Sequence, residues 1–250
     1  MKNNYKTLVI SDLNLGNKQS KTKELIHFLR HVKCDTLILN GNIIDQQNFV
    51  KTKTWKKKYS RFYIRLLKLL DEHKIHLVYL PGQNDQHVFR KLPIVIGNVR
   101  IAHEHHLKSA NKRFLVRPGS FAYTSLRWQW LTYFGKIGFL LLDKIHQTSY
   151  LQGGKNKLLT RNFFERCMVQ LARNKGFDGI ICGQLGSPEI KEIGQTTYLN
   201  SGDWMEKLSA LAETYNGKWH LIYYGESGKK KNKAKSEQAN ILKDIHQEVS

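Results

Sequence analysis

Apolar residues in the first half of the chain fall into short continuous runs separated by stretches with helical spacing. The segments 7–11 (TLVIS), 36–39 (TLIL) and 76–80 (HLVYL) have strand length and little alternation, as expected of strands covered on both faces. Between them, residues 21–32 carry Leu25, Ile26 and Leu29 at helical intervals, and residues 55–70 repeat that spacing behind a very basic start. Strand, helix and strand recurring at this interval predict a parallel or mixed sheet with helices packed on it. A further helix is expected over 162–174, followed by a buried strand at 179–182 (GIIC). From residue 189 onward, short β-like runs (190–193, 196–199, 208–214 and 219–224) are divided by turn signals, with Asn216-Gly217 as a hairpin turn.

Two stretches break this pattern. Residues 125–145 are rich in Trp, Tyr, Phe, Leu and Lys and precede Gly153-Gly154, which predicts helices standing apart from the sheet. Beyond Gly225 the composition turns to Lys, Ser, Glu, Asn and Gln, too polar to bury the apolar surface that ordering requires. The expected organisation is therefore one domain over residues 1–225, a helical insert over about 124–160, and a basic, disordered tail over 226–250.

Charge changes the picture more than composition does. The 250 residues hold 41 Lys and Arg against 20 Asp and Glu, a formal charge of +21. Such an excess favours polyanionic partners: a phosphate-bearing ligand, an anionic membrane surface or nucleic acid. Cys34, Cys167 and Cys182 have no Cys-x-x-Cys spacing, and Cys34 and Cys182 border apolar runs, as small core residues do in a reducing compartment. No apolar run approaches the ~20 residues that span a bilayer. A cytoplasmic protein, soluble or peripheral to the inner face of the membrane, is expected. Nothing in the pattern fixes an oligomeric state.

In an open α/β sheet the functional loops follow the carboxyl ends of the strands. Those loops read Ser11-Asp12-Leu13-Asn14-Leu15-Gly16, Asn40-Gly41-Asn42-Ile43-Ile44-Asp45, Pro81-Gly82-Gln83-Asn84-Asp85 and Cys182-Gly183-Gln184-Leu185-Gly186-Ser187-Pro188. In order and spacing the series resembles the Asp-x-His, Gly-Asp-x-x-Asp, Gly-Asn-His-Asp and Gly-His-x-His motifs of the calcineurin-like metallophosphoesterases. The tract Tyr198-Leu199-Asn200-Ser201-Gly202-Asp203-Trp204 resembles the Asn-x-Gly-Asp-Trp stretch of the UDP-2,3-diacylglucosamine hydrolase branch, enzymes of lipid A synthesis. The resemblance covers about residues 5–224. It implies an α/β fold, a four-layer αββα sandwich of two mixed β-sheets, with the helical insert over the site.

The departures from the motifs carry the functional expectation. Family members hold two divalent cations, manganese or zinc, through Asp, His and Asn, and a metal-bound hydroxide attacks phosphorus. Asp12 matches a family ligand. The His that should follow is Asn14, the bridging Asp is Asn42, and the Asn-His pair is Gln83-Asn84. The histidines of the last motif are Gln184 and Gly186, and the His-Gly-Asp segment falls at Val116-Arg117-Pro118-Gly119, which places Arg117 where a ligand belongs. Amide oxygens compensate cation charge poorly, and a guanidinium repels a cation. With only Asp12 retained, no metal, no cofactor and no catalytic residue are expected; Asn84 and Asp85 occupy vestigial catalytic positions. Asp45, Asp85 and Asp203 suit loop geometry as well as function.

The preferred expectation is an inactive, binding or regulatory protein whose pocket (Asp12, Asn14, Asn42, Gln83, Asn84, Arg117 and Gln184) holds a phosphate through amide and guanidinium donors. A weak hydrolase of a nucleotide-linked lipid precursor, using one metal at Asp12, and a basic nucleic-acid-binding protein are the alternatives; the last lacks a recognisable reading motif. His103 and His105 would share a face if they lay on one strand, a second candidate zinc site. Trp128, Trp130, Tyr133 and Phe134 beside Arg127, Lys136 and Lys144 suit an interfacial segment, and the runs 51–58 and 229–235 would add attraction to an anionic leaflet.

Overall fold

Alternation along the central strands decides the layering. In a computed structural model that describes residues 3–89, 91–119, 155–183 and 188–225, strand β1 (Asn3–Ile10) sends Leu8 and Ile10 to one apolar cluster and Val9 to another. Strand β2 (Val32–Asn40) divides Leu37 and Leu39 from Ile38 in the same way, and β3 (His76–Leu80) divides Leu77 and Tyr79 from Val78 and Leu80. A period of two on a sheet covered on both sides produces this split.

The first cluster lies under two helices, α1 (Thr22–His31) and α3 (Lys57–His73), which bury Leu25, Phe28 and Leu29, and Tyr59, Phe62, Leu66 and Leu69. Between them runs the short helix α2 (Gln46–Thr52), started by the Asp45 side chain accepting from the Asn48 N–H at 3.0 Å. Strands β4 (Ile94–Ile96) and β5 (Val99–Ile101) extend this sheet on one side. Strands β11 (Ser209–Glu213) and β12 (Trp219–Tyr223) complete it on the other, giving the order β12-β11-β1-β2-β3-β5-β4.

The second sheet has the order β6-β7-β8-β10-β9, built from β6 (His105–Ser109), β7 (Lys112–Val116), β8 (Gly179–Cys182), β9 (Glu189–Ile193) and β10 (Thr196–Asn200). Its inner face, with Phe114, Val116, Ile181 and Leu199, joins Val9, Ile38, Val78, Leu80 and Leu211 of the first sheet in one core. Its outer face, with Leu115, Ile180, Cys182 and Tyr198, packs against Phe164, Met168, Val169 and Ala172 of helix α4 (Lys155–Asn174). Both sheets are mixed: β1, β2, β3 and β5 run parallel with antiparallel neighbours outside them, and β7, β8 and β10 are parallel between antiparallel edges. Helices, sheet, sheet and helix form the expected αββα sandwich.

The differences from expectation are local. Helix α2 and strands β4 to β7 lie where the pattern predicted no element, and α4 starts at Lys155, inside the range assigned to the insert. The hairpin at Asn216-Gly217 has a five-residue connection, closed by Thr214 N–H to Lys218 O at 2.9 Å, with Gly217 at φ 79°. The remainder of the expected insert and the tail 226–250 lie outside the described residues. Among the described residues no helix is long and apolar enough to cross a membrane.

Candidate functional site

The loops after β1, β2 and β3 converge on a closed ring of polar contacts. Asp12 Oδ1 accepts from Asn42 Nδ2 at 2.8 Å, and Asn42 Oδ1 accepts from the Asn84 backbone N–H at 3.1 Å. Asn84 Nδ2 donates to Asn14 Oδ1 at 3.2 Å, and Asn14 Nδ2 returns to the Asp12 carbonyl at 3.4 Å and to Met205 Sδ at 3.0 Å. Four of the positions read from the sequence (Asp12, Asn14, Asn42 and Asn84) therefore bind one another.

Backbone geometry helps to explain the residue types. Asp12, Asn14 and Asn42 all have left-handed backbones, at φ 56°, 44° and 51°. Asn and Asp tolerate this region better than any other residue with a side chain, and such strain gathers at functional sites. Close approach adds a second constraint. A Cβ on Gly82 would lie 2.4 Å from Asn42 N, and one on Gly183 would lie 1.9 Å from Ser11 Oγ. The Gly183 contact seats the second sheet on the first, where Ser11 Oγ and Ser201 Oγ are 2.6 Å apart.

Asp85 and Asp45 hold the loops in place. The Asp85 carboxylate accepts from Gly82 N–H at 2.5 Å, Tyr79 O–H at 2.6 Å and Ile43 N–H at 2.9 Å, tying the β3 loop to the β2 loop. Burial raises its pKa, against the opposing effect of these donors. Asp45 caps α2 and also accepts from Asn48 Nδ2. Asp203 accepts from the N–H groups of Met205 and Glu206 at 2.8 and 2.5 Å, closing the turn after Trp204.

Asp12 is the unusual member. Burial pushes its pKa up to about 8, opposed by the Asn42 hydrogen bond and supported by the charges of Asp203 and Asp85. Its Oδ2 is buried without a partner among the described residues, as are both polar side-chain atoms of Asn40, the last residue of β2. Burial thus favours the neutral acid at Asp12, and the ring holds no other ionisable group. This does not fit a dinuclear cation centre: one carboxyl oxygen and two amide oxygens already accept hydrogen bonds, and no second carboxylate belongs to the ring.

Other expected members go elsewhere. Arg117 follows Val116 on β7, so alternation turns it to the outer face with Leu115. There its Nη1 lies 3.6 Å from Glu104 Oε2, and it does not join the ring. Gln83 is exposed beside Asn84, at the mouth of a cavity of about 450 Å³ that Gln46, Gln47, Val50, Lys51 and His87 also line. Gln184 lies outside the described residues. The sequence reading missed Asn40, Met205 and the α2 face of this cavity. Only Asn40 left a trace, as the first residue of the Asn40-Gly41-Asn42 loop.

The histidine candidate also changes. Strand β6 begins at His105 and His103 sits in the bend before it, so the two do not share a strand face. Glu104 between them accepts from Lys175 at 2.6 and 2.7 Å, and burial and the Arg100 charge push His105 down to about 4. Among the described residues no group of three or more His, Cys, Asp or Glu side chains is placed to hold a metal ion.

No protein-family model and no curated protein matches the chain. Solved structures do. A single mutant of Vps29 from Entamoeba histolytica is 13% identical over 88% of this chain and 99% of its own, with a TM-score of 0.45. Vacuolar Protein Sorting 29 from Cryptosporidium parvum is 15% identical over 86% and 94%, also at 0.45. A novel archaeal phosphodiesterase is 11% identical over 87% and 98%, at 0.43. At such values these likenesses carry no weight for function.

Proposed function

We propose that this chain is a metal-free derivative of the calcineurin-like phosphoesterase architecture, which binds a phosphate-bearing ligand instead of hydrolysing it. The observation that carries the reading is the closed Asp12–Asn42–Asn84–Asn14 ring. A two-metal hydrolase needs carboxylates and imidazoles at these loop positions to hold cations and activate water. Amides that satisfy one another provide neither function.

The same groups suit an anion. Asn42 and Asn84 each use one N–H of their amide in the ring, which leaves one N–H apiece for an acceptor. Lys51 and His87 line the adjoining cavity with Gln46, Gln47 and Gln83. Lysine and amide donors together are the groups that hold phosphate oxygens without a metal. A chain of charge +21 attracts such ligands from a distance.

The competing reading is a one-metal hydrolase centred on Asp12, favoured by the unpartnered Asp12 Oδ2. One experiment separates the two. Protein dialysed against manganese and zinc is assayed for metal content by mass spectrometry and for phosphodiesterase turnover in the same sample. Binding of phosphorylated sugars and nucleotides to metal-free protein is then measured by titration calorimetry. Binding without metal or turnover is the expected result. Near-stoichiometric manganese with turnover that disappears in Asp12→Ala would replace the proposal with the hydrolase.

A further inference from the structure

Residues 46–70, which include α2 and most of α3, contain eight Lys and Arg and no Asp or Glu. The surface they form is not purely polar. Val50, Trp55, Ile64 and Leu67 are 67%, 54%, 52% and 63% exposed. On α3 the buried stripe is Tyr59, Phe62, Leu66 and Leu69, so Ile64 projects opposite the core and Leu67 lies one turn beyond it. Trp55 is held rather than loose: its ring stacks on Phe49 at 5.2 Å and on Tyr63 at 5.9 Å, and its Nε1 donates to Ser60 Oγ at 2.7 Å. Lys57, Arg61 and Lys68 are exposed on the same outward side of α3 and form no ion pair with the described residues.

Charge complementarity limits what can cover this face. Residues 120–154 hold three Lys and Arg against one Asp, and residues 226–250 hold six Lys against four Asp and Glu. Both segments are net positive, and a second copy brings another +21. None complements a face whose residues 46–70 hold eight Lys and Arg and no carboxylate, with Asp71 and Glu72 entering only in the last turn of α3. A polyanion does. Between the two common polyanions, nucleic acid offers phosphates and aromatic bases but nothing that recognises exposed Val, Ile and Leu side chains. A bilayer offers anionic headgroups above an apolar layer, with the polarity gradient that a tryptophan flanked by lysines matches.

We propose that the outward face of α2 and α3 is a docking surface for an anionic lipid bilayer, with Val50, Trp55, Ile64 and Leu67 entering the interface and the surrounding lysines meeting the headgroups. The proposal is independent of the ligand reading. Its position does have a consequence for that reading, because Val50 and Lys51 also line the cavity beside Asn84. Docking would place the mouth of the candidate site at the membrane.

The test is co-flotation of the full chain with vesicles of phosphatidylcholine alone or mixed with phosphatidylglycerol. Wild type is expected to float with the mixed vesicles and not with the neutral ones. The variant I64S/L67S should float on the order of tenfold less at an unchanged urea midpoint, since both positions are exposed. The reversal K57E/R61E/K68E should lose on the order of a hundredfold at low salt. Brominated lipid tails should quench a fluorescence component that Trp55→Phe removes, a signal that depends on burial in the bilayer and not on folding. Equal flotation of wild type and I64S/L67S would assign the attraction to another basic segment and overturn the proposal. So would oligonucleotide binding lost in Trp55→Ala by a chain that ignores vesicles.

Discussion

The substitution Asp12→Asn tests the site most directly, because it removes the ring's only ionisable group and keeps its shape. A folded-state pKa of about 8 against an ordinary value of 3.8 means that the folded chain holds a proton that the unfolded chain releases. Between those values unfolding releases that proton, so stability falls as pH rises, by about 1.4 kcal/mol per pH unit for one group. The contribution is complete below pH 3.8 and is lost as pH climbs through 8. Asparagine keeps the oxygen that accepts from Asn42 and never ionises. With asparagine taken as equivalent to the neutral acid, the variant should therefore be more stable by about 2 kcal/mol at pH 5.5 and by about 5 kcal/mol at pH 8, a gap that widens by about 3 kcal/mol across the range. Urea unfolding of both proteins from pH 5.5 to 8.5 at fixed ionic strength measures the difference, and titrating groups elsewhere cancel in it. Parallel curves would refute the reasoning. So would manganese that flattens the wild-type curve and adds stability at pH 8, because a bound cation would keep Asp12 ionised.

Other positions make separate predictions. Asp85→Ala strands the N–H groups of Gly82 and Ile43 and the Tyr79 hydroxyl, and should lower unfolding free energy by about 3 kcal/mol or more in urea titrations. Asp45→Ala removes the α2 cap and should cost only about 1 kcal/mol by the same measurement. Asn40→Val replaces a buried amide without partners among the described residues and should leave stability unchanged or raise it by about 1–2 kcal/mol; a loss of that size would mean that the amide has a partner in solution. Lys51→Gln should weaken calorimetric binding of phosphorylated ligands to metal-free protein by about 5–10-fold at low salt, with thermal stability unchanged.

Much of the fold was legible because the central strands announce themselves. The run HLVYL is bounded by polar and Pro-Gly signals, and β3 occupies it residue for residue. Helix α2 was invisible to periodicity because none of its residues is buried; a cap at Asp45 starts it instead. Strands β4 and β5 have three residues each, too short for a pattern to form. In the site, loop order placed Asp12, Asn14, Asn42 and Asn84 on neighbouring loops, and hydrogen bonds join these four. Their mutual bonding was not legible, because it depends on left-handed backbones that aim side chains independently of sequence spacing. Arg117 went astray for a simpler reason. Counting from a downstream motif gives a position along a strand, and one residue of parity decides which face that position takes.

The ring as hydrogen-bonded and a metal pair draw on the same oxygens, and the proposed reading turns on that competition. Two divalent cations would demand that Asn14, Asn42 and Asn84 turn oxygens inward, which breaks their contacts, and that Asp12 ionise against its burial. In return they would receive one carboxylate for about four positive charges. The amide arrangement uses one N–H each of Asn42 and Asn84 and brings no fixed charge to the centre. Attraction for an anion must then come from outside the ring, from Lys51 at the mouth and from the +21 field of the whole chain. Such a division, with neutral donors setting geometry and distant lysines supplying charge, predicts ligand affinity that weakens with salt while orientation in the site does not change.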